Sequence, residues 1–489
     1  MRKLISLGLL LICISGYAQK AANPKPFATT ITADDLRKHL FIIAGKEMEG
    51  RLTASEGQRK AASYIENHFR SLGLLPGNHG NYQLPYPVYQ DSLTKASLEV
   101  NEKAFELDKD FVPNGNNYPS TISCGEVVYV GNGIMDSSRN DYKDVNVAGK
   151  IVLLTSSQQR SVATAQRNGA AAILVVQSNF PRATPTLKGV QYVNAFRRSV
   201  APNTYFISDA VAQAIVGQDW SAAKAGNAKS KSYLANVLLI TEKTPIKMES
   251  TDVIAYMEGT DLKDQYVFIT AHYDHLGKRD TVIYYGADDD GSGTCAVLEI
   301  AEAFAKAKAA GKGPRRTMVF MTVSGEEEGL WGSAFYGDHP VFPLEKTTVD
   351  LNIDMIGRID PKRKVGDSMN YVYIVGDDKL SSDLHPISVA ANDKYTKLEL
   401  DYKYNDPNDR ERIYFRSDHF NFARKGVPII FYFNGTHNDY HRPTDTPDKI
   451  NYDLYAKRAQ LVFYTAWDMA NRNDMLKRDI PLDTSFMNR

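Results

Sequence analysis

Apolar residues recur along this chain with two different spacings, and the change of spacing divides it. From Thr32 the spacing is helical: Leu36, Leu40 and Ile43 share a face, and Thr32 to Asp35 is a capping-box pattern at its start. A second helix is predicted over about 55–72, with Ala61, Ala62, Ile65, Phe69 and Leu72 on one face and Gly73 as its terminator. Residues 19–30, ahead of both, read as a loose leader.

The stretch 96–245 has another texture. Residues 125–131 and 149–154 predict strands bounded by turn residues, a helix follows near 163–167, and 169–176 reads as a buried strand. Loops rich in Pro, Asn and Ser lie between, and the small, polar run 221–232 reads as a linker. No clustered histidines and acids occur in this block, so a separate domain without chemistry of its own is expected.

From about 246 onward strands and helices alternate. The runs 266–271, 318–323, 349–353 and 428–433 are apolar, β-branched or aromatic, as suits a parallel sheet buried on both faces. Helices are predicted at about 292–308, where Val297, Ile300, Ala301 and Phe304 share a face, and at 418–425 and 452–471. No internal repeat or long low-complexity tract is present.

That alternation gives five polar fragments a common address. They are His272-Tyr273-Asp274, Asp288-Asp289-Asp290 before Gly291-Ser292-Gly293, Glu326-Glu327-Glu328 before Gly329-Leu330, Asp354-Met355 and Tyr440-His441. His272 follows one predicted strand, Glu326 and Glu327 the next, Asp354 a third, and His441 lies in the loop after the last. In open α/β sheets ligands collect at the carboxyl ends of the strands, so the fragments are expected on one edge. Alone, each acidic triplet is a solvated face or a turn capping a helix. Together, two histidines with several carboxylates form a ligand set that suits a pair of zinc ions better than calcium or copper. Asp274 is placed to orient His272.

Bulk properties narrow the remaining classes. The 489 residues exceed one compact core, and 43% hydrophobic with 24% charged residues is ordinary for a soluble globular protein. Met1-Arg2-Lys3, the apolar run 4–15 and Gly16-Tyr17-Ala18 predict a secretory signal over 1–18, hence a periplasmic or extracellular protein. Removing it takes Arg2 and Lys3 from 58 basic side chains and nothing from 58 acidic ones, leaving a net charge of −2. That gives no basic excess for a nucleic-acid partner, and no later stretch is long and apolar enough for stable membrane insertion. Cys124 and Cys295 read as buried small hydrophobes rather than a disulfide framework. No nucleophile elbow, Walker or dinucleotide fingerprint occurs, and Asp288-Asp289-Asp290-Gly291 lacks the alternation of a calcium loop.

The ordered fragments resemble the co-catalytic di-zinc exopeptidases, which include bacterial leucyl aminopeptidases, glutamate carboxypeptidases and glutaminyl cyclases. The resemblance covers about 246–475 and the helices of 32–74, with Glu49-Gly50-Arg51 typical of the family's start. It implies an α/β fold with a mostly parallel mixed sheet flanked by helices, of the phosphorylase/hydrolase-like zinc exopeptidase type. The middle block resembles the smaller, β-rich protease-associated domain inserted in such enzymes. The implied division is signal 1–18, N-terminal helices 19–95, insert 96–245, di-zinc peptidase domain 246–475 and tail 476–489.

By the same resemblance two zinc ions per chain are held by His272, Asp289, Glu327, Asp354 and His441, with Asp289 bridging and Glu326 as general base. The acidic triplets leave a one-residue slip open toward Asp288 or Glu328. Tyr440 stands where some relatives keep a tyrosine that steadies the oxyanion; Ser417, Asp418 and Arg358 stand around the site, and an ordinary N-cap explains Ser417 equally well. The implied activity is removal of N-terminal residues from peptides. A carboxypeptidase of the same fold is the alternative, with Arg358, Arg410, Arg412 and Arg416 in candidate pocket loops. A cyclase, typically a one-zinc enzyme, and a non-catalytic binding scaffold that has lost ligands fit less well.

Overall fold

A computed structural model describes residues 22–183, 186, 190–194, 201–406 and 408–482; the predicted signal lies outside them. The chain divides into two compact units, one holding the described residues up to Leu84 and those from Asp252 on, the other Pro85–Thr251.

In the first unit the two N-terminal helices are α1 (Ala33–Ile43) and α2 (Glu56–Ser71). The Thr32 and Ser55 side chains cap them by accepting from Asp35 N and Gln58 N. Of the expected leader 19–30, the described residues 22–30 are less loose than expected: Lys25–Ala28 is a helical turn, Ala28 is buried, and Phe27 stacks on Trp467 at 5.7 Å.

The sheet of this unit comprises part of β1 (Lys231–Met257), β2 (Leu262–His272), β3 (Arg316–Val323), β4 (Thr347–Ile353), β5 (Tyr371–Val375), β6 (Glu399–Asp401) and β7 (Ile429–Phe433). Their order is β6-β5-β7-β4-β2-β3-β1. The four strands expected from their apolar runs, β3, β2, β4 and β7, form a continuous parallel centre. Residues 253–257 of β1 and strand β5 add antiparallel partners. The sequence analysis did not identify β5 or β6.

Both faces are covered, which is why β2 and β3 run largely apolar, whereas β4 alternates apolar residues with Asp350 and Asn352, buried and bonded by Thr270 Oγ1. Val267, Ile269, Met318 and Leu351 pack beneath α1, α2, α3 (Gly293–Ala309) and α7 (Tyr452–Asn471). On the other face Phe268, Val319 and Met321 pack with Tyr336 of α4 (Trp331–Asp338) and Phe422 of α6 (His419–Ala423). The helix α5 (Leu384–Tyr395) lies between β5 and β6 in sequence.

The second unit has its own sheet, in which Ser120–Tyr129, Ile151–Leu154, Ala172–Val176 and Asn203–Ile207 run parallel in that order. Residues 231–241 pair antiparallel with 120–129. Helices Gln159–Arg167 and Asp209–Val216 contribute to its two apolar clusters. The expected linker 221–232 is instead the helix Trp220–Lys224 running toward the strand that begins at Lys231; Trp220 and Ala223 are buried, and burial outweighs the polar neighbours. The two cysteines among the described residues are free: Cys295 is buried, but Cys124 is only half-buried, its thiol donating to Glu126 O at 3.1 Å.

One core histidine makes stability pH-dependent. His419 is buried, donates from Nε2 to Tyr414 O at 2.8 Å and stacks on Phe431. Burial pulls its pKa down to about 3. Its folded pKa lies below the unfolded value, so its contribution is complete above about pH 6.5 and is lost as pH falls toward 3. In urea unfolding, His419→Asn should lose about 2 kcal/mol less than the parent between pH 7.5 and 5. Equal losses would mean the ring is not held neutral.

Candidate metal centre

The centre is built at the carboxyl ends of β2, β3, β4 and β7. His272 is the last residue of β2, and its carbonyl accepts from Thr294 Oγ1 at 2.7 Å. After β4, Asp354 follows directly; after β3, the turn through Gly325 presents Glu326 and Glu327. His441 stands in the loop after β7.

The three consecutive aspartates follow Gly286, whose φ of +54° is left-handed and where a side chain would strike the Asp289 carbonyl and the His275 ring. The Asp289–Asp290 peptide is cis. All three acids are buried, yet they point to different partners. Asp288 Oδ1 accepts from Gly357 N at 2.7 Å and Ser292 Oγ at 3.1 Å. Asp290 Oδ1 accepts from Gly293 N at 2.7 Å and Met355 N at 2.9 Å. Asp289 faces imidazoles: Oδ1 lies 3.4 Å from His272 Nε2, and Oδ2 lies 3.1 Å from His441 Nε2. Asp354 Oδ1 is 3.7 Å from His272 Nε2, and Glu327 Oε2 is 3.0 Å from His441 Nε2. The five ligand-type residues singled out in the sequence are therefore brought together around Asp289. Glu326 joins them, with Oε2 3.9 Å from His272 Nε2.

These atoms fit cation ligation better than mutual hydrogen bonding. His272 Nε2, Asp289 Oδ2 and Glu327 Oε1 are buried without a hydrogen-bond partner despite facing one another. Two donor groups, His272–Asp290–Asp354 and His275–Asp289–Glu327, each have ligand atoms within 4.8 Å of one another. In the first, Asp290 Oδ1 accepts two backbone N–H groups while Oδ2 is buried without a partner, and Asp289 Oδ1 lies 3.4 Å from the same His272 Nε2. The second introduces His275, which sequence reasoning missed: its Nδ1 is 2.6 Å from Glu327 Oε1. It stands three residues after His272 in the same loop, and that spacing was its only signal.

The charges perturb one another strongly. Burial opposes a charged His272, but Glu326, Asp274, Asp289 and Asp354 outweigh it and raise its pKa well above the usual value. Burial, reinforced by Glu327 and Asp354 against the attraction of His272, pushes the Glu326 carboxyl well up. Asp289, although buried, is held well below the usual range by His272 and His441.

Around these residues the supports are specific. Asp274 accepts from Glu326 N at 3.2 Å and Thr53 Oγ1 at 2.9 Å; its carboxylate is 3.6 Å from His272 Nδ1, farther than its own carbonyl at 3.2 Å. Ser417 does not cap α6: the N-cap is Asp418, and Ser417 Oγ accepts from Asn352 Nδ2 at 2.9 Å while bonding Asp354. Asp418 accepts from Ser333. Asp445 Oδ2 accepts from Asp288 N at 3.0 Å and Asp289 N at 3.2 Å, and His437 Nε2 is 3.2 Å from Asp288 Oδ2; neither was identified from sequence. Arg358 lies behind these supports, with Nη2 3.0 Å from Asp439 and Nη1 3.9 Å from Asp445. The Tyr440 ring stacks on His441 at 3.9 Å, and its hydroxyl accepts from Arg416 Nη2 at 3.1 Å. The cleft is lined by Asp289, Glu326, Asp354, Met355, Ile413, Arg416, Phe431, Phe433, Thr436 and Tyr440; Glu328 is not among them. A separate cavity of about 640 Å³ holds Arg410 and Arg412.

Residues 252–466 match peptidase family M28, and residues 123–215 match the PA domain. The peptidase region of this chain is thus similar to family M28. Similar curated proteins include a probable leucine aminopeptidase of Trichophyton verrucosum, 31% identical over 214 residues that cover 42% of this chain and 55% of that protein. A probable zinc metalloprotease of Pyricularia oryzae is 25% identical over 308 residues, covering 54% and 59%. This chain thus spans little more than half the length of these relatives. Among solved structures, an aminopeptidase from Aneurinibacillus sp. strain AM-1 shares the fold with a TM-score of 0.58 at 20% identity, covering 94% of this chain and 99% of that one. BSAP, a zinc aminopeptidase from Bacillus subtilis, does so with a TM-score of 0.54 at 19% identity, covering 92% and 99%.

One buried cation organises the loops around the cluster. The Arg51 guanidinium donates to Tyr273 O, Ile43 O, Tyr285 O and Gly286 O at 2.7–2.9 Å. Lysine cannot reproduce that planar fork. Arg51→Lys should destabilise the protein by about 3 kcal/mol or more in denaturant unfolding, because carbonyls and a charge are left buried and unpaired. A loss under about 1 kcal/mol would show that the loops hold without it.

Proposed function

We propose that this chain is a zinc-dependent aminopeptidase, removing residues from the N-termini of peptides. One observation carries the reading: the Asp289 carboxylate lies between His272 and His441, flanked by Asp354 and Glu327, with Glu326 in the same cleft. His272 and Asp354 would hold one zinc ion, His441 and Glu327 the other, and Asp289 both. When bound there, the two ions supply Lewis acidity and lower the pKa of a water molecule toward neutrality.

The chain's own groups account for the rest. Glu326 lines the cleft and is fixed through its backbone by Asp274, so its carboxylate takes the proton from the attacking water and returns it to the leaving amine. The Tyr440 hydroxyl accepts from Arg416, which leaves its own proton free to donate to the developing oxyanion. Ser417 steadies Asp354, and Asp445 steadies the backbone that carries Asp289. The likeness to a probable leucine aminopeptidase and a probable zinc metalloprotease supports the reading, and the leader pattern of residues 1–18 supports export.

Glu326→Gln should keep about two zinc ions per chain by mass-spectrometric metal analysis while kcat falls roughly 10²- to 10⁴-fold. Retained turnover would remove Glu326 from its role. A mass-spectrometric time course on unblocked peptides with zinc-loaded protein should show stepwise loss from the N-terminus; loss from the C-terminus would make the enzyme a carboxypeptidase.

A further inference from the structure

We propose that Arg416 recognises a carboxylate of the substrate, so that the preferred peptides carry one beside the scissile bond. The inference rests on the peptidase reading above and names its substrate class. The non-acidic lining of the cleft is mostly apolar, with Met355, Ile413, Phe431 and Phe433, and Arg416 is its one cation among the described residues. The side chain is exposed, and its recorded hydrogen bond goes to Tyr440 Oη at 3.1 Å. No carboxylate among the described residues lies within ion-pair distance of it. The other three arginines of the candidate pocket loops are placed differently: Arg358 is spent on Asp439, while Arg410 and Arg412 line a separate cavity with Asp406 and Asp409.

A guanidinium offers five N–H donors in a planar fork that matches a carboxylate. With one donor committed to Tyr440, Arg416 keeps an edge for a bidentate pair. Position sets where that carboxylate must lie. Arg416 is one hydrogen bond from Tyr440, whose ring stacks on the ligand-type residue His441, so the anion belongs to a residue flanking the cleaved bond and not to the far end of a long peptide. Two sources share this chemistry: the terminal carboxylate of a dipeptide's second residue, and the side chain of an acidic residue being released.

The test uses zinc-loaded full-length protein and two matched pairs. Alanyl-leucine against its amide probes the terminal carboxylate; glutamyl-leucinamide against glutaminyl-leucinamide probes the side chain. The parent should discriminate one pair by about 10- to 100-fold in kcat/KM, the worth of a charged hydrogen-bonded contact. Arg416→Met should reduce that ratio to within about threefold, with Arg416→Lys between them. Calorimetric Kd values in the Glu326→Gln background should move in parallel. Equal treatment of both pairs by the parent overturns the proposal, as does an equal loss on all four peptides in Arg416→Met, the signature of an arginine that only steadies Tyr440. Failure of the parent to cleave any of the four refutes the peptidase reading instead, and the calorimetric ratios still decide whether Arg416 selects a carboxylate.

Discussion

Mutual repulsion among buried carboxylates is the constraint around which the peptidase unit is arranged. Asp288, Asp289 and Asp290 are adjacent and out of water, and Glu326, Glu327 and Asp354 are close by. Charges so placed persist only with compensation. The backbone supplies part of it: one oxygen of each outer aspartate of the triplet accepts N–H groups, from Gly357 for Asp288 and from Gly293 and Met355 for Asp290. Asp289 is left with both oxygens facing histidines, and the residual negative field collects where dications suit it.

That arrangement needs irregular chain at the sheet edge, and irregular chain buries carbonyls that no ladder satisfies. Two fully buried arginines meet this need there. Arg51 ties the loops after β2 to α1, and Arg458 on α7 donates to Tyr371 O, Ile356 O and Arg358 O. A third, Arg316, does the same at the opposite edge, where it opens β3 and holds Met469 O, Arg472 O and Asn473 O. Each acts as a multi-armed donor, a use of charge unrelated to ion pairing.

Much of this is legible in the residues. Largely consecutive apolar positions mark β2, β3 and β7 as strands covered on both faces, while β4 shows itself by Val349, Leu351 and Ile353 alternating with the buried Asp350 and Asn352. Thr32 and Ser55 mark helix starts because an oxygen side chain there satisfies an otherwise unpaired N–H. Strand β5 escaped notice: its five residues are all buried, but it is preceded by a polar loop and reads as an aromatic-rich fragment of any kind. The 221–232 stretch misled for the opposite reason, since small polar residues surround the buried Trp220 and Ala223.

The sequence by itself determined that histidines and acids stand at successive strand ends, because strand order and the βα alternation put those ends on one edge whatever the loops do. It could not rank Asp288, Asp289 and Asp290, which are chemically identical and differ only in which backbone N–H groups they meet. Nor could it separate Arg416 from Arg358, Arg410 and Arg412. Only the tertiary structure sets them apart, because their surroundings come from neighbours remote in the chain: Asp289 meets His272 and His441, its two neighbours meet backbone N–H groups, and Arg416 meets Tyr440 while Arg358 meets Asp439.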